Sequence, residues 1–308
     1  MDKPTIAFLG IGLMGKPMAQ RLLQAGFIVH AWNRTPAKAQ ALVASGAIAH
    51  ASLDDAVASA EIVISILGDG SAVSATIDAA APALKEKTLW IDMSSTRQDE
   101  ALAHHETLAG RGVRFLDAPV SGGVAGAQAG TLAIMAGGTM DDFTEAGPVL
   151  SAMGSAVLVG PAGSGQVAKL CNQLIVGGTM HIVAEALLLA QAAGADPAAV
   201  REAIRGGFAG SKVLEAHGQR MLDRNFIAGG KVTTQLKDQR NVLAAAADAG
   251  VALPMTALVT EQYQSIAADL PDADHAAALI ALERINPGLR LGDAPDQFTA
   301  AASSSRPA

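Results

Sequence analysis

The run Gly10-Ile11-Gly12-Leu13-Met14-Gly15, entered directly from the apolar tetrad Ile6-Ala7-Phe8-Leu9, constrains the fold of this chain more than any other feature. An apolar stretch that breaks into glycines and then into an amphipathic segment at 18–25 predicts strand, tight turn and helix, in that order. In such a unit the first glycine permits the turn, the second lets a pyrophosphate approach the backbone, and the third lets the helix lie close on the strand. The helix N-terminus adds unpaired N–H groups and the positive end of its dipole. The context, and not the glycines alone, predicts a dinucleotide site made by Gly10, Gly12, Leu13, Met14 and Gly15.

The alternation continues through the first half of the chain. Strands are predicted over 6–9, 28–32, 62–67, 88–92, 114–117 and 131–136, and helices over 18–25, 37–44, 53–58, 72–80 and 99–111. That order builds a mainly parallel sheet wrapped on both faces, a doubly wound Rossmann domain over 1–163. After 164 strand signals stop, and helices are predicted over 165–193, 198–206, 211–223, 232–249, 255–268 and 274–285, with Asp196-Pro197 and Leu253-Pro254 marking N-termini. The expected fold class is α/β, the Rossmann domain being joined by the long helix 165–193 to an all-helical domain over 164–290. The tail 291–308, with two prolines and a serine run, is expected to be loosely held or disordered.

Composition narrows what such a chain can bind. The formal charge is −7 with basic residues scattered, which leaves no footprint for nucleic acid and requires local donors for a small anionic substrate. The single Cys171 allows no internal disulfide and too little sulfur for a structural zinc site, so a reducing cytoplasm is expected. Residues 1–4 lead straight into a strand, with no leader pattern. The longest apolar stretch, 174–193, is interrupted by Gly177, Gly178, His181, Glu185 and Gln191, which predicts a buried helix and no membrane partner. His181 and Glu185 share a helix face without a third ligand, so no metal is expected. His104 and His105 beside Glu106 read as solvated, and Cys171 as a buried, inert thiol.

The end of the second predicted strand chooses the cofactor. Asn33-Arg34-Thr35 offers a guanidinium and a hydroxyl where an acidic residue would hold a ribose 2′-hydroxyl, which favours NADP while leaving NAD possible. Leu67-Gly68 and Ser94-Ser95-Thr96 follow two further strands, so Leu67, Gly68 and Ser95 are placed at the nicotinamide ribose. At the substrate end, Asp117-Ala118-Pro119-Val120-Ser121-Gly122-Gly123 follows the strand 114–117, and Ser121, Gly122 and Gly123 form a nest suited to a carboxylate. Lys169 comes just after the glycine-rich run 160–165 on a predicted helix, with Asn172 three positions later on the same face. An ammonium beside an amide suits a hydroxyl or carbonyl substrate. A lysine with its usual pKa of about 10.4 serves reduction near neutrality more readily than oxidation.

These motifs, with Pro17-Met18-Ala19, Gly163 through Asn172, and Lys237-Asp238, resemble the β-hydroxyacid dehydrogenase family related to 3-hydroxyisobutyrate dehydrogenase, over about residues 5–285. Within it, 203–211 and 221–226 look most like the 2-hydroxy-3-oxopropionate (tartronate semialdehyde) reductases. The resemblance implies Lys169 as the catalytic residue, Asn172 and Ser121-Gly122-Gly123 as substrate binders, Lys237 near the cofactor, and a homodimer or homotetramer built through the helical parts. Ser95 stands where many members have threonine, and Gly68 where many have proline. Alternative substrates are 3-hydroxyisobutyrate, glyoxylate, succinic semialdehyde or a β-hydroxy amino acid; an imine reductase or a non-catalytic NADP-binding protein are the alternative classes.

Overall fold

The computed structural model describes residues 3–298, and the chain divides into two compact units after Lys169, a few residues beyond the expected boundary. Among its described residues the first unit contains nine strands: β1 (Ile6–Leu9), β2 (Val29–Trp32), β3 (Ile48–Ala49), β4 (Ile62–Ser65), β5 (Leu89–Asp92), β6 (Arg114–Asp117), β7 (Val120–Ser121), β8 (Leu132–Gly137) and β9 (Gly154–Gly160). They form one sheet in the order β3-β2-β1-β4-β5-β6-β8-β7, with β9 also paired to β8. From β3 through β6 the pairing is parallel, whereas β8 runs antiparallel to β6 and β7. Strand order reverses between β1 and β4, which opens a crevice at their carboxyl ends.

Continuous apolar strands are explained by burial on both faces. Ile6, Phe8, Ile62, Ile64, Leu89, Ile91 and Leu116 enter one core, while the alternate residues Ala7, Leu9, Val63, Trp90 and Phe115 enter the other. Helix α1 (Gly15–Gln24) covers the first face with Met18, Ala19 and Leu22. After α2 (Pro36–Gln40) and α3 (Leu53–Val57), helices α4 (Gly70–Ala80) and α5 (Gln98–Ala109) cover the second face with Val73, Ile77, Ala101 and Leu108. His104 is on that buried side of α5, 3% exposed, and its Nε2 lies 2.8 Å from the Ser74 hydroxyl; the solvated reading is corrected.

Three short or edge strands (β3, β7, β9) and the helices α6 (Gly123–Ala129) and α7 (Met140–Ser151) were absent from the expected element order. β9 turns the apolar Val157 and Val159 to its exposed side, and α7 carries Pro148 inside it, so each lacks the usual sequence pattern of its class. α7 is nonetheless started by Thr139, whose hydroxyl accepts from the Asp142 amide.

Helix α8 (Ser164–Ala192) runs from the first unit into the second, followed by α9 (Pro197–Ile204), α10 (Lys212–Leu222), α11 (Val232–Asp248), α12 (Pro254–Ala267) and α13 (Ala278–Ile285). α8 is long and apolar enough to cross a membrane by length and composition. Its residues Met180, Val183, Ala184, Leu187 and Leu188 instead make one stripe of the helical core, with Phe226, Tyr263 and Leu279. Two expectations are corrected here. Cys171 is exposed, on the side of α8 away from that stripe. Residues 291–298 are held in place: Leu291 is buried, Asp296 pairs with Arg224, and the Phe298 ring lies on Phe226. The rest of the tail lies outside the described residues.

Candidate active site

The register of the parallel strands lines up Trp32, Leu9, Ser65, Asp92 and Asp117 along the carboxyl edge of the sheet. Most of the residues singled out in the sequence spring from the turns just beyond that row. Gly10 has φ +102°, and a side chain there would overlap the Ile66 carbonyl; one at Gly15 would overlap the Gly10 carbonyl. At Gly12 nothing lies within 4 Å of where a Cβ would be. Two glycines therefore close the strand-turn-helix junction and the third leaves open space beside α1. No side chain caps α1 at Met14; in its first turn the Lys16 amide donates to the Gly12 carbonyl (3.1 Å) and Pro17 has no N–H, so an anion here would be met by the amides of the glycine loop ahead of them and the positive end of the helix dipole. A pyrophosphate fits this cradle.

Asn33 braces the same loop: its Oδ1 accepts from the Ile11 amide (2.9 Å), and its Nδ2 donates to the Thr35 carbonyl (3.1 Å). Arg34 and Thr35 beside it are exposed. An open cleft of about 660 Å³ along Gly12 and Leu13 is also lined by Lys16 and Lys38, which adds positive charge next to the loop.

Beyond β4 and β5, buried hydrogen bonds set the loops carrying Leu67, Gly68 and Ser95. Ser94 Oγ accepts from the Leu67 amide (2.9 Å) and donates to Asp92 Oδ1 (2.6 Å), and Ser65 Oγ donates to the same oxygen (2.8 Å). Burial pushes the Asp92 carboxyl up against these bonds, and its Oδ2 has no partner. Gly68 is exposed, with open space around it. Ser121 ends β7, and Gly122 and Gly123 follow at φ +136° and +61°, conformations that L side chains rarely adopt.

Lys169 is brought to this edge by the way α8 begins. Asp117, at the end of β6, accepts from the Gly163 amide (2.7 Å) and the Gln166 amide (2.8 Å). Glycine is required at 165 because a side chain would overlap the Asp117 and Met135 carbonyls. Burial pushes Asp117 up to about 7, opposed by those two amide bonds. Lys169, one turn beyond Gln166, is only 9% exposed.

In the second unit, Asn172 Nδ2 donates to Gln173 Oε1 (2.8 Å), Gln173 Nε2 donates to Asp238 Oδ2 (2.6 Å), and Lys237 Nζ lies 3.4 Å from Asp238 Oδ1. The structure thus links the motif ending at Asn172 to Lys237-Asp238 through Gln173, which was not singled out. Asp92, Gln166 and the capping role of Asp117 were also missed. The available signal was that adjacent strands both end in aspartate and that Gln166 precedes Lys169 by three.

His217, Asp274 and His275 bring ligand atoms within 4.8 Å of one another, but the arrangement suits a cation already in the chain. The Asp274 oxygens accept from the Gly229, Gly230 and Ala276 amides, and Arg220 Nε lies 3.5 Å away. Glu185 is exposed, and His181 Nδ1 lies 3.0 Å from the Gly177 carbonyl oxygen.

Comparison with known proteins agrees with this fold. Residues 5–160 match the NAD binding domain of 6-phosphogluconate dehydrogenase, and residues 163–282 match the NAD-binding region of NADP-dependent 3-hydroxyisobutyrate dehydrogenase. The chain is 38% identical over 284 residues to 2-hydroxy-3-oxopropionate reductase of Escherichia coli, covering 90% of this chain and 97% of that protein. It is 36% identical over 264 residues to 2-(hydroxymethyl)glutarate dehydrogenase of Eubacterium barkeri, covering 84% and 88%. A solved structure of Mycobacterium tuberculosis 3-hydroxyisobutyrate dehydrogenase with L-serine superposes with a TM-score of 0.83 at 32% identity, covering 91% of this chain and 99% of that one.

Proposed function

Because the chain belongs to the 3-hydroxyisobutyrate dehydrogenase-related family of NAD(P)-dependent β-hydroxyacid dehydrogenases, we propose that it reduces 2-hydroxy-3-oxopropionate to glycerate with NADPH. A bound nicotinamide supplies the hydride. The chain must then orient a short acid and provide one proton. In this reading Lys169 gives its proton to the substrate carbonyl oxygen, and in the reverse direction a neutral Lys169 takes it from the hydroxyl. The Ser121 hydroxyl with the Gly122 and Gly123 amides holds the carboxylate. Asn172, one turn beyond Lys169, holds the reacting oxygen, and Lys237 stands near the cofactor; both assignments follow the family resemblance. The glycine loop Gly10 to Gly15 takes the pyrophosphate, Arg34 and Thr35 the 2′-phosphate with Asn33 bracing them, and Leu67, Gly68 and Ser95 the nicotinamide ribose.

The observation that carries the reading is the burial of Lys169, since an ammonium at 9% exposure is an expensive structural choice at the start of a helix fastened to the strand ends. The substrate is favoured by the extent of similarity to the 2-hydroxy-3-oxopropionate reductase. Its test is turnover of 2-hydroxy-3-oxopropionate, succinic semialdehyde, glyoxylate, 3-hydroxyisobutyrate and serine, each with both cofactors. 2-Hydroxy-3-oxopropionate with NADPH is expected to lead in kcat/KM by about tenfold or more, the scale that a single methylene commands in a fitted pocket. A different leading acid would replace the substrate assignment.

We place the enzyme in a reducing cytoplasm and infer a homodimer or a homotetramer made from such dimers. Ile175, Ile182 and Leu189 are 62%, 56% and 68% exposed, and they recur every seven residues along α8. That spacing forms one stripe, self-complementary in a pair of such helices. Ile182→Glu is expected to shift the protein toward monomer in sedimentation equilibrium, with secondary structure unchanged; an unaltered mass rules the stripe out as the contact.

A further inference from the structure

We propose that Gln166 is a positioning residue for the reaction: its side-chain amide fixes the rotation of α8 on the end of β5, and thereby the point at which Lys169 delivers its proton. The inference rests on the reading of Lys169 as the proton-transfer group.

Gln166 is fully buried, and both halves of its amide are spent on one short backbone segment. Its Oε1 accepts from the Thr96 amide (3.0 Å), and its Nε2 donates to the Ser94 carbonyl (2.9 Å). That segment carries Ser95, and the Ser94 hydroxyl also holds the Leu67 amide. One side chain therefore ties the helix to the loops assigned to the nicotinamide ribose. The Asp117 carboxyl already fixes where α8 starts, through the Gly163 and Gln166 amides. Backbone N–H groups at a helix start point along its axis, so those bonds resist sliding more than rolling. The Gln166 side chain reaches outward at one azimuth, so it resists the roll. Residues three apart share a helix face, which places Lys169 on the face that Gln166 pins. A roll of about 10° would carry an atom several ångströms off the axis through roughly 1 Å, and a displacement of that size is enough to lower a rate about 100-fold.

The experiment uses the full-length protein with NADPH and 2-hydroxy-3-oxopropionate, or the acid that turns over fastest in the panel. Gln166→Met keeps the volume and removes both bonds. It is expected to lower kcat about 10- to 100-fold while the NADPH Kd, read by fluorescence titration, stays within about twofold. Gln166→Glu supplies a readout that loss of packing would not move. Its ionised carboxylate still accepts from Thr96 but opposes the Ser94 carbonyl, whereas the protonated acid can donate to it. The kcat of Gln166→Glu relative to wild type is therefore expected to rise as the pH falls from about 8 toward 5.5, bracketing an elevated buried-carboxyl pKa. Both variants turning over within threefold of wild type, or a Glu-to-wild-type ratio independent of pH, would overturn the proposal. So would a loss of NADPH affinity matching the loss of kcat. Should Gln166→Met fail to fold, the pH profile of Gln166→Glu decides alone. Lys169→Met run alongside separates the two readings: an inactive Lys169→Met with a fast Gln166→Met rejects only the positioning role, and an active Lys169→Met rejects the proton-transfer reading on which it stands.

Discussion

Lys169→Met is expected to lower kcat by roughly 1000-fold, about 4 kcal/mol of transition-state stabilisation, with NADPH affinity unchanged. Methionine is the suitable replacement because it is unbranched and of similar length, so the largely buried position stays filled while the ammonium disappears. The glycine loop, Arg34 and Thr35 are untouched, which is why fluorescence titration with NADPH should return nearly the wild-type Kd. Lys169→Arg sharpens the result. Arginine keeps the positive charge but does not release its proton near neutrality. If the residue transfers a proton, both variants lose most of their turnover; if it only stabilises charge, arginine retains much more than methionine. Turnover within tenfold of wild type for Lys169→Met in steady-state assays would remove the residue from the chemistry.

The legible part of the molecule is the part in which local pattern and tertiary role coincide. Ile6 to Leu9 followed by Gly10, Gly12 and Gly15 can be read because each glycine answers a local backbone demand: a positive φ at Gly10 and close approach at Gly15. The helices after Pro197 and Pro254 are legible for a similar reason, since proline at a first helical position needs no partner for its missing N–H. Roles that depend on distant partners are not. Gln166 looks like any polar residue in a helix until Ser94 and Thr96 are known to lie against it. Asp117 reads as a loop residue after a strand until it caps a helix far along the chain. His104 was within reach: it falls three residues after Ala101 and four before Leu108, on the apolar face of α5. The pair of histidines beside an acid suggested solvation, and the periodicity should have outweighed it.

Arg224→Met is expected to be the most damaging single change to stability in the second unit. The guanidinium is 2% exposed and makes two bonds to Glu283, from Nη1 (2.5 Å) and Nη2 (3.0 Å), and one from Nε to Asp296 (2.7 Å). Burial alone would favour its neutral form, but these two carboxylates hold its pKa above the ordinary value. Removing one partner of a buried pair leaves the other charged and unpaired, which costs about 3–5 kcal/mol. Most of that falls on Glu283, whose side chain is 11% exposed, because Asp296 at 30% is partly solvated and its share is screened. The damage should be local at first. Glu283 also accepts from the Leu291 amide, Arg224 Nη1 donates to the Leu291 carbonyl (3.4 Å) and Nε holds Asp296, so the segment 291–298 depends on this one side chain at several points. Hydrogen exchange is expected to lose protection there before the core around Tyr263 is affected, together with a fall in Tm. Arg224→Lys should recover only part of the loss, since a lysine cannot make the paired contact with Glu283. Arg224→Met combined with Glu283→Gln should be more stable than Arg224→Met alone, because the buried carboxylate is then no longer stranded while Asp296 keeps its pair with Arg290 (3.0 Å). Equal melting of wild type and Arg224→Met, with 291–298 still protected, would show that the ion pairs do not hold this segment.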